Sequence, residues 1–107
     1  MRHIRPGELK EWLDDPRRDK PQLLDVRETW EFERCHVEGA ELLPMASISS
    51  RYGELDPQRE VVVICHHGVR SFHVARFLEH NGFTHVVNLT GGVDAWSREV
   101  DPLMPLY

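Results

Sequence analysis

VVVICHHGVRSFHVARFLEHNGF, residues 61–83, divides into three parts. Val61 to Ile64 is an unbroken β-branched run bounded by polar residues, the pattern of a strand buried on both faces. Ser71 to His80 carries Phe72, Val74, Ala75, Phe77 and Leu78 toward one side of a helix, and Asn81-Gly82 supplies a stop. Between them lies a tight polar loop that begins with Cys65. A strand, a turn and a helix in this order belong to a parallel sheet, and ligands of such sheets gather outside the carboxyl ends of the strands. Cys65 stands at that end.

The alternation continues in both directions. Ile4 precedes Pro6-Gly7 as a short edge strand or extended lead-in, and Pro6 opens a helix with Leu9, Trp12 and Leu13 on one stripe. Asp14 to Pro21 is polar and punctuated by proline, hence a loop. QLLDVR, 22–27, reads as a short buried strand ending in charge. A brief helix over TWEFER, with Trp30 and Phe32 as its apolar contacts, leads to Gly39 and a second short strand around residues 41–43. Residues 45–59 read as a short helix or turn. HVVNL, 85–89, is the last strand, and GGVDAW opens a helix that ends before Pro102. No repeat or flexible linker interrupts the chain. The expectation is one α/β domain over 1–107, three-layered, with a central, mostly parallel five-stranded sheet flanked by helices.

Composition narrows the function classes. The 107 residues are 40% hydrophobic and 29% charged, with a net charge of −5. That balance offers no general attraction for nucleic acid or anionic lipid. Val61 to Cys65 is the longest strongly apolar stretch, far too short to span a membrane. The N-terminal MRHIRPGELKEWLDD has no apolar core of signal-peptide length, so the reading is cytoplasmic. Two cysteines make neither a disulfide scaffold nor a zinc ribbon.

The loop CHHGVRS has its own chemistry. A helix leaves four N–H groups unpaired in its first turn, and here they converge beside the sulfur. Gly68 permits a compact cradle, while Arg70 adds a forked donor. Such a field favours an ionised sulfur and an anionic partner. Three readings follow for Cys65: a nucleophile, an inert core thiol, or a metal ligand. The whole loop favours the nucleophile. Adjacent residues such as His66 and His67 rarely direct two side chains to one ion, and no carboxylate has convincing spacing, so no metal and no cofactor is expected. His66 and His67 are read as lining the mouth or touching substrate, or else as solvated loop residues.

Five elements in register resemble the single-domain rhodanese-like sulfurtransferases: QLLDVRETWEF, HVEGAELLP, VVVICHHGVRS, FLEHNGFTHVVNL and LTGGVDAW. The resemblance covers almost the whole chain and implies the rhodanese-like fold. It implies that Cys65 carries sulfur and that His66, His67, Gly68, Val69, Arg70 and Ser71 bind substrate. Asp25 and Arg27 correspond to a charged pair that supports the sheet, Gly39, Gly91 and Gly92 to turn positions, and Trp96 to a packing residue. Cys35 departs from the pattern, standing where the family usually has glycine. It either alters the turn or adds a secondary thiol.

The implied reaction moves sulfane sulfur from thiosulfate, a persulfide or a polysulfide through a Cys65 persulfide to cyanide, a small thiol or a protein thiol. Two other classes share the architecture. A noncatalytic sulfur-binding or protein-interaction module commonly lacks the cysteine, which this chain keeps. Cysteine-dependent phosphatases and arsenate reductases carry five residues between cysteine and arginine, whereas His66, His67, Gly68 and Val69 make four. Physiological donor, acceptor and oligomeric state are left open by the sequence.

Overall fold

Val61–Ile64 form strand β4, and all four residues have no exposed surface. In the computed structural model, which describes residues 1–107, β4 is the centre of a five-stranded sheet. The chain runs β1 (Arg2–Ile4), α1 (Pro6–Asp14), β2 (Gln22–Asp25), α2 (Thr29–Arg34), β3 (Glu41–Leu42), α3 (Ile48–Arg51), β4, α4 (Val69–His80), β5 (Val86–Leu89) and α5 (Gly92–Glu99). Strand order is β1-β5-β4-β2-β3, and all four pairings are parallel. The expected mostly parallel sheet is therefore wholly parallel.

Side chains along β4 alternate between two cores, as strand geometry requires. Val61, Val63 and Cys65 join Leu24, Val26, Ile48, Leu55, Val74, Ala75 and Leu78 on the face covered by α3 and α4. Val62 and Ile64 join Leu9, Trp12, Leu23, Val93 and Trp96 on the face covered by α1 and α5. Burying each such side chain contributes roughly 1.5–3 kcal/mol. Trp96 is 7% exposed and belongs to this second core. No helix is long and apolar enough to cross a membrane.

Several local expectations shift. Helix α4 starts at Val69, two residues early, because Gly68 takes a left-handed conformation (φ 103°) as its N-cap. β2 stops at Asp25 rather than Arg27, since the charged pair there turns inward instead of extending the ladder. The larger correction concerns α2. Trp30 is 61% exposed and Phe32 is half-buried, while Glu31 is the residue α2 buries, at 3%. An acid replaces the aromatics on the inward face because two polar partners await it there.

Helix α5 is docked on the end of β4. The Val93 and Asp94 N–H groups donate to the carbonyls of Cys65 and His66 at 2.9 and 3.1 Å. This approach needs Gly92, whose φ is 57°. A Cβ there would lie 2.3 Å from the Cys65 carbonyl oxygen and 2.5 Å from that of His66. Those atoms are backbone and cannot swing aside. Gly92→Ala is expected to destabilise the protein by about 2–4 kcal/mol, read as a lower midpoint in urea denaturation.

Candidate active site

Three strand ends converge on Cys65. β4 delivers the cysteine, β2 ends at Asp25 beside it in register with Ile64, and β5 contributes Asn88 from the other side. The thiol is 1% exposed. Gly68 N–H donates to Cys65 Sγ at 3.0 Å, so the loop curls back until a peptide dipole faces the sulfur. A Cβ on Gly68 would lie 3.2 Å from Gly91 N, a tight approach to backbone. The left-handed turn and the close fit both require glycine.

Below the sulfur lies a polar support. Cys65 Sγ is 3.3 Å from Ser71 Oγ, which in turn donates to Asn88 Oδ1 at 2.5 Å. Asn88 Nδ2 reaches the Gly68 carbonyl at 3.4 Å. Ser71 is fully buried inside the first turn of α4. Its hydroxyl ties helix, loop and β5 together rather than capping the helix. Val69, by contrast, directs its side chain outward and is 66% exposed.

Arg70 is not a free donor. Glu31 Oε1 and Oε2 accept from its two terminal nitrogens at 2.6 and 2.9 Å, a forked pair at the rim of the loop. Glu31 also accepts from the Tyr107 hydroxyl at 2.7 Å, and that hydroxyl accepts from Arg27 Nη1 at 2.7 Å. Arg27 has no exposed surface. Its remaining N–H groups bond the Asp25 carboxylate and the carbonyls of Glu31 and Cys35. A continuous chain, Asp25–Arg27–Tyr107–Glu31–Arg70, thus joins the sheet to the loop.

The chain shifts its members' protonation. Hydrogen bonds from Arg70 hold Glu31 down at about 2, against its ordinary 4.5, although burial opposes them. Burial pushes Tyr107 up to about 12 from 10.0, helped by Glu31 and opposed by Arg27. Burial works against the Arg27 charge, but its hydrogen bonds to Asp25 and Tyr107 prevail and raise it above the ordinary arginine value.

Tyr107 also stacks its ring on His66, with centroids 3.9 Å apart and planes 4° from parallel. His66 is half-buried, and burial together with His67 lowers its pKa. His67 is exposed. The carboxylate that the linear sequence does not place beside these histidines comes from α5, as Asp94. Cys35 is free and half-buried; it packs with the core on the opposite sheet face from Cys65 and donates to the Pro105 carbonyl at 3.6 Å. Sequence reasoning missed Glu31, Asn88, Asp94 and Tyr107. Only the polar Asn88 inside the apolar run HVVNL carried a visible signal.

Residues 5–99 match the rhodanese-like domain model. The chain belongs to the rhodanese-like domain family. It is 39% identical over 106 residues to the probable adenylyltransferase/sulfurtransferase MoeZ of Mycobacterium tuberculosis, covering 97% of this chain but 26% of MoeZ. It spans less than two thirds of several such relatives. It is 36% identical over 75 residues to the thiosulfate sulfurtransferase GlpE of Shewanella oneidensis, covering 70% of this chain and 74% of GlpE. The crystal structure of a rhodanese-like domain protein from Staphylococcus aureus superposes with a TM-score of 0.84 at 33% identity, covering 94% of this chain and 95% of that one.

The pKa shifts set two limbs of pH dependence. Between pH 4.5 and 2 the unfolded chain binds a proton at Glu31 that the folded protein excludes. The stability from this carboxylate is therefore complete above 4.5 and is lost as pH falls toward 2. Between pH 10 and 12 the unfolded chain releases the Tyr107 proton that the folded protein retains, so that contribution is complete below 10 and lost as pH rises. Glu31→Gln should flatten the acid limb and Tyr107→Phe the alkaline limb. Each should lower stability near neutrality by about 1–2 kcal/mol, measured by urea denaturation across pH.

Proposed function

We propose that this protein is a sulfurtransferase that carries sulfane sulfur on Cys65. The observation that carries this reading is the Gly68 N–H aimed at a buried sulfur, at 3.0 Å, inside a loop with four residues between cysteine and arginine. Backbone dipoles stabilise negative charge on that sulfur and then on the terminal atom of a persulfide. The relatives named as sulfurtransferases support the same reading.

The cycle is a double displacement. The Cys65 thiolate attacks the outer sulfur of a donor such as thiosulfate or a persulfide. A Cys65 S–S bond forms, the donor's S–S bond breaks, and sulfite or a thiolate leaves with the bonding electrons. A thiolate or cyanide acceptor then attacks the outer sulfur; the Cys65 S–S bond breaks, the acceptor leaves as a persulfide or thiocyanate, and the bonding electrons restore the Cys65 thiolate. No general acid is needed, because each leaving group departs as a stable anion. The short loop suits one added sulfur atom better than a phosphoryl group ringed by donors. Exposure to thiosulfate should make the protein one sulfur atom heavier by intact mass, and cyanide or thiol should remove the addition. Cys65→Ser should abolish both. If no sulfane donor ever loads Cys65, the protein is a noncatalytic module on this fold.

Arg70 refines the donor class. Its guanidinium is occupied by Glu31, so a dianion such as thiosulfate meets a rim whose side-chain charge is already balanced. Donors of lower charge, such as thiol persulfides, lose less at such a rim. Glu31→Gln leaves an amide that can still accept from Tyr107 but removes the competing charge. It should raise kcat/KM for thiosulfate roughly fivefold, the effect of about 1 kcal/mol, with a smaller rise for a thiol persulfide donor of lower charge. Equal kcat/KM values for wild type and variant with thiosulfate would leave the backbone as the sole anion determinant.

A further inference from the structure

We propose that His66, His67 and Asp94 form a binding site for a zinc-class divalent cation at the outer rim of the Cys65 loop. One donor atom from each of the three side chains lies within 4.8 Å of the other two. Ligand atoms around a tetrahedral zinc ion, at about 2.0–2.2 Å from the metal, are about 3.3–3.6 Å apart. Side-chain rotation alone closes that difference, because His67 is exposed and Asp94 is only half-buried.

The backbone beneath the three is fixed. Asp94 N–H donates to the His66 carbonyl at 3.1 Å, so the first turn of α5 and the cysteine loop cannot drift apart. The His66 and His67 rings pack face to face, with centroids 3.9 Å apart and planes 31° apart, which keeps the two imidazoles together beside Asp94. The His66 ring is held in turn by its stack on Tyr107. A second observation points the same way: His66 Nε2 is shut off from solvent and has no hydrogen-bond partner. Buried ring nitrogens are normally satisfied, and this imidazole has an uncommitted one.

The donor set selects the ion. Two imidazoles and one carboxylate suit zinc and its borderline neighbours, whereas magnesium and calcium take oxygen shells. Asp94 Oδ2 accepts from Arg98 Nε at 3.0 Å, the kind of outer partner that orients a ligating carboxylate. Three protein ligands leave the fourth position open to water or another small ligand. This site does not depend on sulfur transfer, and its test does not read that activity.

The experiment is calorimetric titration of the tag-free full chain with Zn²⁺, in the wild type and in a Cys35→Ser/Cys65→Ser background that removes both thiols. One ion should bind per chain in both. In the thiol-free background, His67→Ala and Asp94→Asn should each weaken binding by ~10-fold or more, with circular dichroism showing an unchanged fold. The proposal is overturned if the thiol-free chain takes up no Zn²⁺ in the micromolar range, which would assign any wild-type binding to sulfur. It is equally overturned if both variants bind as tightly as their parent, which would place the ion elsewhere.

Discussion

A guanidinium with no exposed surface must find an acceptor for each of its five N–H groups, and Arg27 finds them all at the carboxyl edge of the sheet. Removing water from such a charge is costly, and the cost is offset only when an opposite charge and full hydrogen bonding replace the solvent. Asp25 supplies the charge from the end of β2. The other acceptors come from α2, from the carbonyl of Cys35 and from Tyr107, segments that would otherwise have little to hold them against the sheet. This one residue therefore ties the last strand positions, helix α2 and the final residues of the chain together. Through Tyr107 and Glu31 it reaches Arg70 in the cysteine loop.

Charge balance follows from that arrangement. Asp25 pairs with Arg27 and Glu31 with Arg70, so these four side chains next to the loop carry no net charge. The backbone supplies the donor that reaches the sulfur directly. In a trans peptide the N–H points opposite to the C=O. Helix α5 holds the carbonyls of Cys65 and His66, and the N–H groups of the same two peptides, those of His66 and His67, are thereby turned away from α5. Gly68 N–H meets Sγ directly. One helix terminus anchors the oxygen side of the loop while the start of α4 brings amides to the other side. Gly92 leaves no room for a side chain in that double approach, and Gly68 takes the left-handed conformation that lets α4 begin beside the sulfur.

Much of this was legible in the sequence because it rests on local pattern. The run VVVI has only one reasonable home, a central parallel strand, and a cysteine after it must face the carboxyl edge. Pro6 and Asn81-Gly82 punctuated helices that are present. Other features were hidden because they rest on partners distant in the chain. Nothing about TWEFER marks Glu31 as its inward residue. The aromatic neighbours were the obvious choice, and Trp30 is instead largely exposed, edge-on to Tyr107. Arg70 looked like a free anion donor for the same reason: its partner lies on a different helix. Asp94 became a neighbour of His66 only through the docking of α5, which the double glycine permits but does not announce.

Side-chain parity along β4 also sets the relation between the two thiols. Cys65 continues the alternation of Val61 and Val63 and belongs to the core under α4. Cys35 packs with the core on the other face, among residues under α1 and α5, and its thiol is turned to the Pro105 carbonyl. Both cysteines are free, and they pack in separate cores on opposite faces of the sheet. Bringing Cys35 to the sulfur would release the Arg27 bond to its carbonyl, with a buried charge left short of an acceptor. The fold thus isolates Cys65 from its own second thiol. On the proposed cycle, the acceptor of a sulfur atom carried by Cys65 is therefore a group other than Cys35.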